Sequence, residues 1–258
     1  MYFVLIKTSF VSTQTTAYYN GSHNPNEKME IPNGMNWDLW LGPAPNKAYT
    51  PNMHPFNWRG WWDYGTGALG DVGCHLIDIP YRTLGLKYPK DAECSVGTVY
   101  SGMFTQAYIP EGCPPSSFTT LHFEGTEKSK SPVEMTWSDG GIRPSHPEII
   151  PANDDIGGPG SGNGVLMIGE KGIISTNIND SEPLMPKLYL NDGTTEFGPE
   201  IEPNDEPEYG HQRKWIDACK AGFQSREHQE LTSSFDYAGP MTETVLMGNF
   251  CLLYTSPS

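Results

Sequence analysis

The chain has 258 residues and a mass of 28.6 kDa, enough to bury a sizeable core as one large domain or two small ones. Its 16 basic residues against 31 acidic ones leave a net charge of -15 and a pI near 4.7. A surface that acidic repels phosphate backbones and anionic lipid, which sets aside nucleic acids and membrane surfaces as partners.

The N-terminal run MYFVLIKTSFV is interrupted by Lys7 and lacks both a charged lead and a cleavage site, so it makes a poor signal peptide. It is far too short to span a bilayer, and no later apolar run approaches the length that would. Residues 12–57 are polar and loop-like, with Asn20-Gly21, Asn24-Pro25 and the proline-studded LGPAPNKAYTP at 41–51. Within them Trp37, Leu39 and Trp40 look like anchors that hold the loop down. The stretch from Trp58 to Asp78, WRGWWDYGTGALGDVGCHLID, concentrates tryptophan, glycine and charge. From Asp71 onward the pattern is helical, with apolar Val72, Leu76 and Ile79 on one side and Asp71, His75 and Asp78 at i, i+4, i+7 on another. That spacing sets a carboxylate beside an imidazole, with Cβ atoms about 6 Å apart. The helix is expected to end near Leu84, with Gly85 as the residue after its cap.

Short strands are predicted next: Ser95 to Tyr100, Ser117 to Phe123, Val133 to Ser138, Val165 to Ile168, Gly172 to Asn177 and Lys187 to Leu190, each bounded by Gly, Pro, Asn or Asp. VLMIGEKGIISTN reads as a hairpin turning at Glu170 to Gly172, and the alternation in FTTLHFE fits a sheet with one covered face. The Gly-rich stretch at 154–164 fits a connector more simply than a lid. Two helices close the chain, one over about Glu208 to Ala221 with Trp215, Ile216 and Cys219 on one face, the other starting near Pro240. Five cysteines, at 74, 94, 113, 219 and 251, include no Cys-x-x-Cys pair and read as small buried residues rather than a zinc ribbon or disulfide framework.

GTGALG at 65–70 matches Gly-x-Gly-x-x-Gly, but WRGWWDY before it is not an apolar strand, so the run reads as a tight turn and not a dinucleotide loop. Asp71, His75 and Asp78 with His54 would make a His/carboxylate metal cluster, yet the spacing is unspecific and no third ligand is evident. No nucleophile elbow accompanies a serine. His23, His122, His146, His211 and His228 are scattered and read as ordinary surface or core residues. Taken singly, the tryptophans are core and Asp71 is a helix-start residue. Taken together, Asp71 and His75 form a unit able to move a proton near neutral pH. Trp58, Arg59, Trp61, Trp62 and Tyr64 offer apolar faces and a forked donor suited to a small hydroxyl-rich ligand.

WDLWLGPAP (37–45), HPFNWRGWWDYGTGALGDVGCHLID (54–78), TWSDGG (136–141), GEKG (169–172) and FDYAGPMTETVLMGN (235–249) resemble the C-terminal region of the Gfo/Idh/MocA oxidoreductases. The resemblance implies an α+β domain, an open and mostly antiparallel sheet with helices on one face, over residues 31–252. Residues 1–30 would be a truncated or uncertain N-terminal segment and 253–258 an uncertain tail. It implies Asp71 and His75 as the acid/base pair, while the residues' own chemistry gives Trp58, Arg59, Trp62 and Tyr64 as the expected substrate contacts. It further implies a sugar or polyol substrate, NAD or NADP in the parent enzyme and a homo-oligomer through the open sheet face; with the unspecific spacing noted above, no metal is expected. The family's Rossmann domain has no counterpart here, so the chain resembles a fragment that by itself binds no cofactor. An NAD-dependent glycosidase of the same family and a non-catalytic carbohydrate-binding or assembly module stand as alternatives. The compartment stays open between a cytoplasmic default and export of the parent.

Overall fold

The computed structural model describes residues 2–7, 29–50, 53, 57–107, 111–154, 156, 163–177, 186–198, 209–231 and 233–255. The order begins with strand β1 (Tyr2–Lys7), helix α1 (Trp37–Leu41), a 3-10 turn (Asn57–Gly60), and helices α2 (Gly67–Leu76) and α3 (Asp78–Leu84). Strands follow: β2 (Asp91–Val96), β3 (Val99–Gly102), β4 (Thr105–Ala107), β5 (Ser117–Phe123), β6 (Val133–Ser138), β7 (Gly164–Ile168), β8 (Gly172–Asn177), β9 (Lys187–Leu190) and β10 (Thr195–Phe197). Helices α4 (Gly210–Ala221), α5 (Arg226–Gln229) and α6 (Phe235–Thr255) complete it.

Eight strands form one open sheet in the order β10-β9-β8-β7-β1-β6-β5-β2, and β3 pairs with β4 apart from it. Every pairing in the sheet is antiparallel except that of β1 with β6. The chain is therefore an α+β fold with a mostly antiparallel sheet. The pleat sends alternate side chains to opposite faces: on β5, Ser117, Thr119, Leu121 and Phe123 are buried while the residues between them are half-exposed. Val4 and Ile6 of β1, with Leu121, Met135, Trp137 and Val165, meet Leu69, Leu76, Ile77 and Val245 from α2, α6 and the α2–α3 junction in the main core. On the opposite face a smaller cluster joins Ile150 to Leu166, Ile173 and Tyr189. A third gathers Trp37, Leu41, Tyr49, Met53 and Trp61 around α1.

Several sequence expectations shift. Ser95 to Tyr100 is not one strand: β2 ends at Val96 and the chain resumes pairing at Val99 as β3. The predicted central helix begins earlier, at Gly67, and is broken at Ile77 into α2 and α3. Pro80 lies just inside α3, where its missing N–H belongs to a first turn and its ring resists continuation from α2. Gly85 does close α3 in the left-handed region, φ 64°. Helix α6 starts at Phe235, upstream of the expected Pro240. The α4 face with Trp215, Ile216 and Cys219 is exposed, and Ala218 is the buried position. Tyr2–Lys7, ahead of the expected domain start at 31, sits in the centre of the sheet. Most of the Gly-rich stretch at 154–164 lies outside the described residues, as does Glu208.

Candidate functional site

The aromatic stretch is held as a platform by backbone bonds to a distant segment. Trp62 N donates to Glu111 O (2.9 Å) and Cys113 N to Gly60 O (2.9 Å), with a β-bridge between Trp61 and Gly112. Gly65 N returns to Trp61 O at 2.7 Å, closing the turn that launches α2. Glycine is required in this launch. A Cβ on Gly65 would lie 2.5 Å from Arg59 O, one on Gly70 would lie 1.7 Å from Thr66 Oγ1, and Gly67 has φ 64°. The glycines of GTGALG are thus used in the chain's own close packing, as a tight turn requires.

Helix α2 carries Asp71 and His75 one turn apart. Arg59 Nε stands 3.2 Å from both carboxylate oxygens of Asp71, and its guanidinium lies over the Trp58 ring, 4.6 Å from the centroid. Asp71 is therefore engaged by Arg59, and no hydrogen bond joins it to His75, whose side chain is exposed. Between them Cys74 donates to Asp71 O at 3.5 Å, and burial, then the Asp71 charge, pushes its thiol up. Asp78, at the start of α3, accepts a short hydrogen bond from the Tyr237 hydroxyl of α6. Burial first, and that carboxylate second, pushes the Tyr237 phenol well above its usual range.

A cleft of about 650 Å³ opens beside the platform, lined by Trp40, Leu41, Pro43, Ala44, Pro45, Trp58, Asp63 and Tyr64. Trp40 stacks on Trp37 (4.5 Å between centroids) and tilts against Tyr64 (5.4 Å). Asp63 is ion-paired with Lys47. The Tyr64 hydroxyl is buried with no hydrogen-bond partner among the described residues, and desolvation pushes its pKa up. Of the four residues expected to touch substrate, Trp58 and Tyr64 line this cleft and Arg59 adjoins it through Trp58. Trp62 instead packs against the main core. Trp40 was read only as a loop anchor, and its place in the cleft was legible solely in its proximity to Trp37 within a proline-rich segment.

No group of three or more His, Cys, Asp or Glu side chains is placed to hold a metal among the described residues, and His54 lies outside them. A further carboxylate escaped the sequence reading. Asp139, buried after β6, accepts from Ser117 N (2.6 Å), Ser117 Oγ (2.6 Å) and Trp137 Nε1 (2.7 Å). Burial raises its pKa, and those hydrogen bonds oppose the rise. Its nearest legible signal was the Trp-Ser-Asp-Gly-Gly run after a buried strand.

Residues 6–96 match the C-terminal alpha/beta domain of the Gfo/Idh/MocA oxidoreductase family. This stretch is similar to that family's domain. The matched Gfo/Idh/MocA segment runs from β1 to β2 and contains the platform, the cleft and α2. Three solved structures of levoglucosan dehydrogenase align with 99% of the chain at 13% identity. They are the apo form (TM-score 0.42, 57% of that chain), the complex with NADH and L-sorbose (0.42, 55%) and the complex with NADH and levoglucosan (0.40, 56%). The chain spans somewhat more than half the length of these structures. No curated protein matches it. No helix among the described residues is long and apolar enough to cross a membrane.

Proposed function

We propose that this domain binds a sugar or polyol and handles the hydroxyl proton for an NAD(P)-dependent oxidoreductase of which it is the substrate part. The observation that carries the proposal is the Arg59 bridge, which ties the Trp58 ring of the cleft to Asp71 on the helix that presents His75. A sugar ring stacks its C–H face on Trp58 and Trp40, the pairing that amphipathic aromatic side chains favour. Tyr64 adds a further aromatic wall to the cleft. His75, exposed and free to reorient, takes the proton from a substrate hydroxyl. The Arg59–Asp71 pair beside it fixes the local charge. Oxidation of the hydroxyl carbon also needs a hydride acceptor, and the described residues build no dinucleotide cradle. The proposal therefore asks of this chain only substrate binding and proton transfer, with the nicotinamide held by a partner Rossmann domain.

A second reading, a non-catalytic carbohydrate-binding module, draws on the absence of a bond between Asp71 and His75. Two measurements separate them. Titration of sugars and polyols against the chain, followed by tryptophan fluorescence, should show saturable binding that Trp58→Ala weakens about tenfold. A flat response across the panel would sink both readings. In a longer protein that includes the dinucleotide domain, His75→Ala should lower kcat by roughly 10²- to 10⁴-fold with little change in KM. Unchanged turnover there would leave the binding module.

A further inference from the structure

Two of the five cysteines, unremarkable by spacing, are brought together by the fold. Strand β2 is the outermost strand of the sheet, and its pleat turns Ala92, Cys94 and Val96 toward the helical layer. Helix α6 lies across them and presents Cys251 and Thr255, stacked one turn apart. Cys251 Sγ reaches Ala92 O at 3.6 Å and Cys94 Sγ reaches Thr255 Oγ1 at 3.2 Å, crossed contacts that set the two thiols beside each other. Both side chains are half-buried, open enough to meet a small reagent. Cys113 is buried elsewhere, and Cys74 and Cys219 are exposed on other helices.

We propose that Cys94 and Cys251 form a reversible disulfide that clamps α6 to the edge strand, with a low-molecular-weight disulfide such as oxidised glutathione as the oxidant. One protein thiol loses its proton to solvent and attacks a glutathione sulfur, and the first glutathione leaves as a thiol. The second protein thiol, deprotonated in turn, attacks the protein sulfur of that mixed disulfide, and the second glutathione departs. Two protein thiols are oxidised, and one glutathione disulfide is reduced to two thiols. Burial pushes the Cys94 thiol up to about 11, its Cys251 neighbour adding to the rise. Little thiolate is then present at neutral pH, which makes the first exchange slow. The same feature withholds the thiolate stabilisation that would favour the reduced form, so the closed disulfide persists once made. The clamp bears on α2 as well, because Gly248 and Asn249 of α6 pack against Leu69 and Gly70 of the helix that carries Asp71 and His75.

The test uses the full chain with Cys74→Ser and Cys219→Ser, which removes the exposed thiols. After hours in oxidised glutathione at about pH 8, intact mass should fall by two hydrogens. A non-reducing digest should join the peptides that contain Cys94 and Cys251. The oxidised protein should melt about 5–10 °C higher, and dithiothreitol should reverse the change. Arrest at a glutathione adduct, a bridge that involves Cys113, or two free thiols after prolonged oxidation would each overturn the proposal. If the double-serine background fails to fold, differential alkylation of the wild-type chain reads the same pair: Cys94 and Cys251 must lose reactivity together.

Discussion

The carboxylate of Asp139 is only 3% exposed and serves three donors, one of them the indole of Trp137. Asp139→Ala strands those donors and should cost about 3 kcal/mol or more in urea unfolding. Because burial raises its folded pKa, the native state holds this proton more tightly than the unfolded chain does. Its contribution is full below the unfolded value near 4 and declines as pH rises through the folded value, so the advantage of wild type over Asp139→Asn should shrink as pH rises above about 4. Asp154 behaves oppositely. The Tyr189 hydroxyl (2.6 Å), and less strongly Lys187 (3.4 Å), hold its carboxyl below the usual range. That stabilisation is present above the unfolded value and fades as pH falls through the folded one. Tyr189→Phe should therefore cost about 1 kcal/mol at neutral pH and progressively less as pH falls below about 4, as read by denaturant midpoints at each pH. Individual tryptophans show where sequence stops informing. Trp58 and Trp62 are chemically alike and four residues apart, yet one faces a cleft and the other the core. Backbone bonds from Gly60, Trp61 and Trp62 to a segment remote in sequence hold the stretch that carries both rings.

Helix α2 is fitted against α6 by two glycines with different tolerances. At Gly70 a Cβ would meet Thr66 Oγ1 at 1.7 Å and Asn249 Nδ2 at 3.3 Å, whereas at Gly73 the nearest atoms stand at 3.4 to 3.6 Å. Gly70→Ala should destabilise by about 2 kcal/mol, because the Thr66 side chain must move aside and Asn249 must give way slightly. Gly73→Ala gains helix propensity without a clash and should be neutral or stabilising by up to ~1 kcal/mol. Thermal unfolding of the two variants, side by side, checks the contrast. At this scale the sequence was most readable where an element is bounded by its own punctuation. β5, β6, β8 and β9 fall at the expected residues because Gly, Pro, Asn or Asp flank alternating apolar runs. The break at Ile77 was hidden because apolar periodicity runs through it, and the stop comes from a proline three residues on. β1 was hidden because a short strand ending in Lys7 declares itself only through partners far along the chain.

Across the molecule, α6 is apolar on two sides. Val245, Gly248, Asn249 and Leu252 are buried, while Leu246, Met247, Phe250, Leu253 and Tyr254 are 36 to 77% exposed along the opposite flank. Self-repulsion from the net charge of -15 opposes association through that flank at neutral pH. Light scattering should rise as pH approaches the pI near 4.7, and Phe250→Glu should suppress the rise. The far side of the sheet is a poorer surface for self-association. There Asp91, His122 and Glu134 line up across three strands, with His122 Nε2 3.8 Å from Glu134 Oε2. The position of β1 has a temporal consequence. It joins β2-β5-β6 to β7-β8-β9-β10. Its partners, Val133–Ser138 and Gly164–Ile168, lie far along the chain from it. The β7–β8 and β8–β9 pairs can form locally, but the union of the two halves waits on β1, so closure of the loop between β1 and β7 should set the pace of folding.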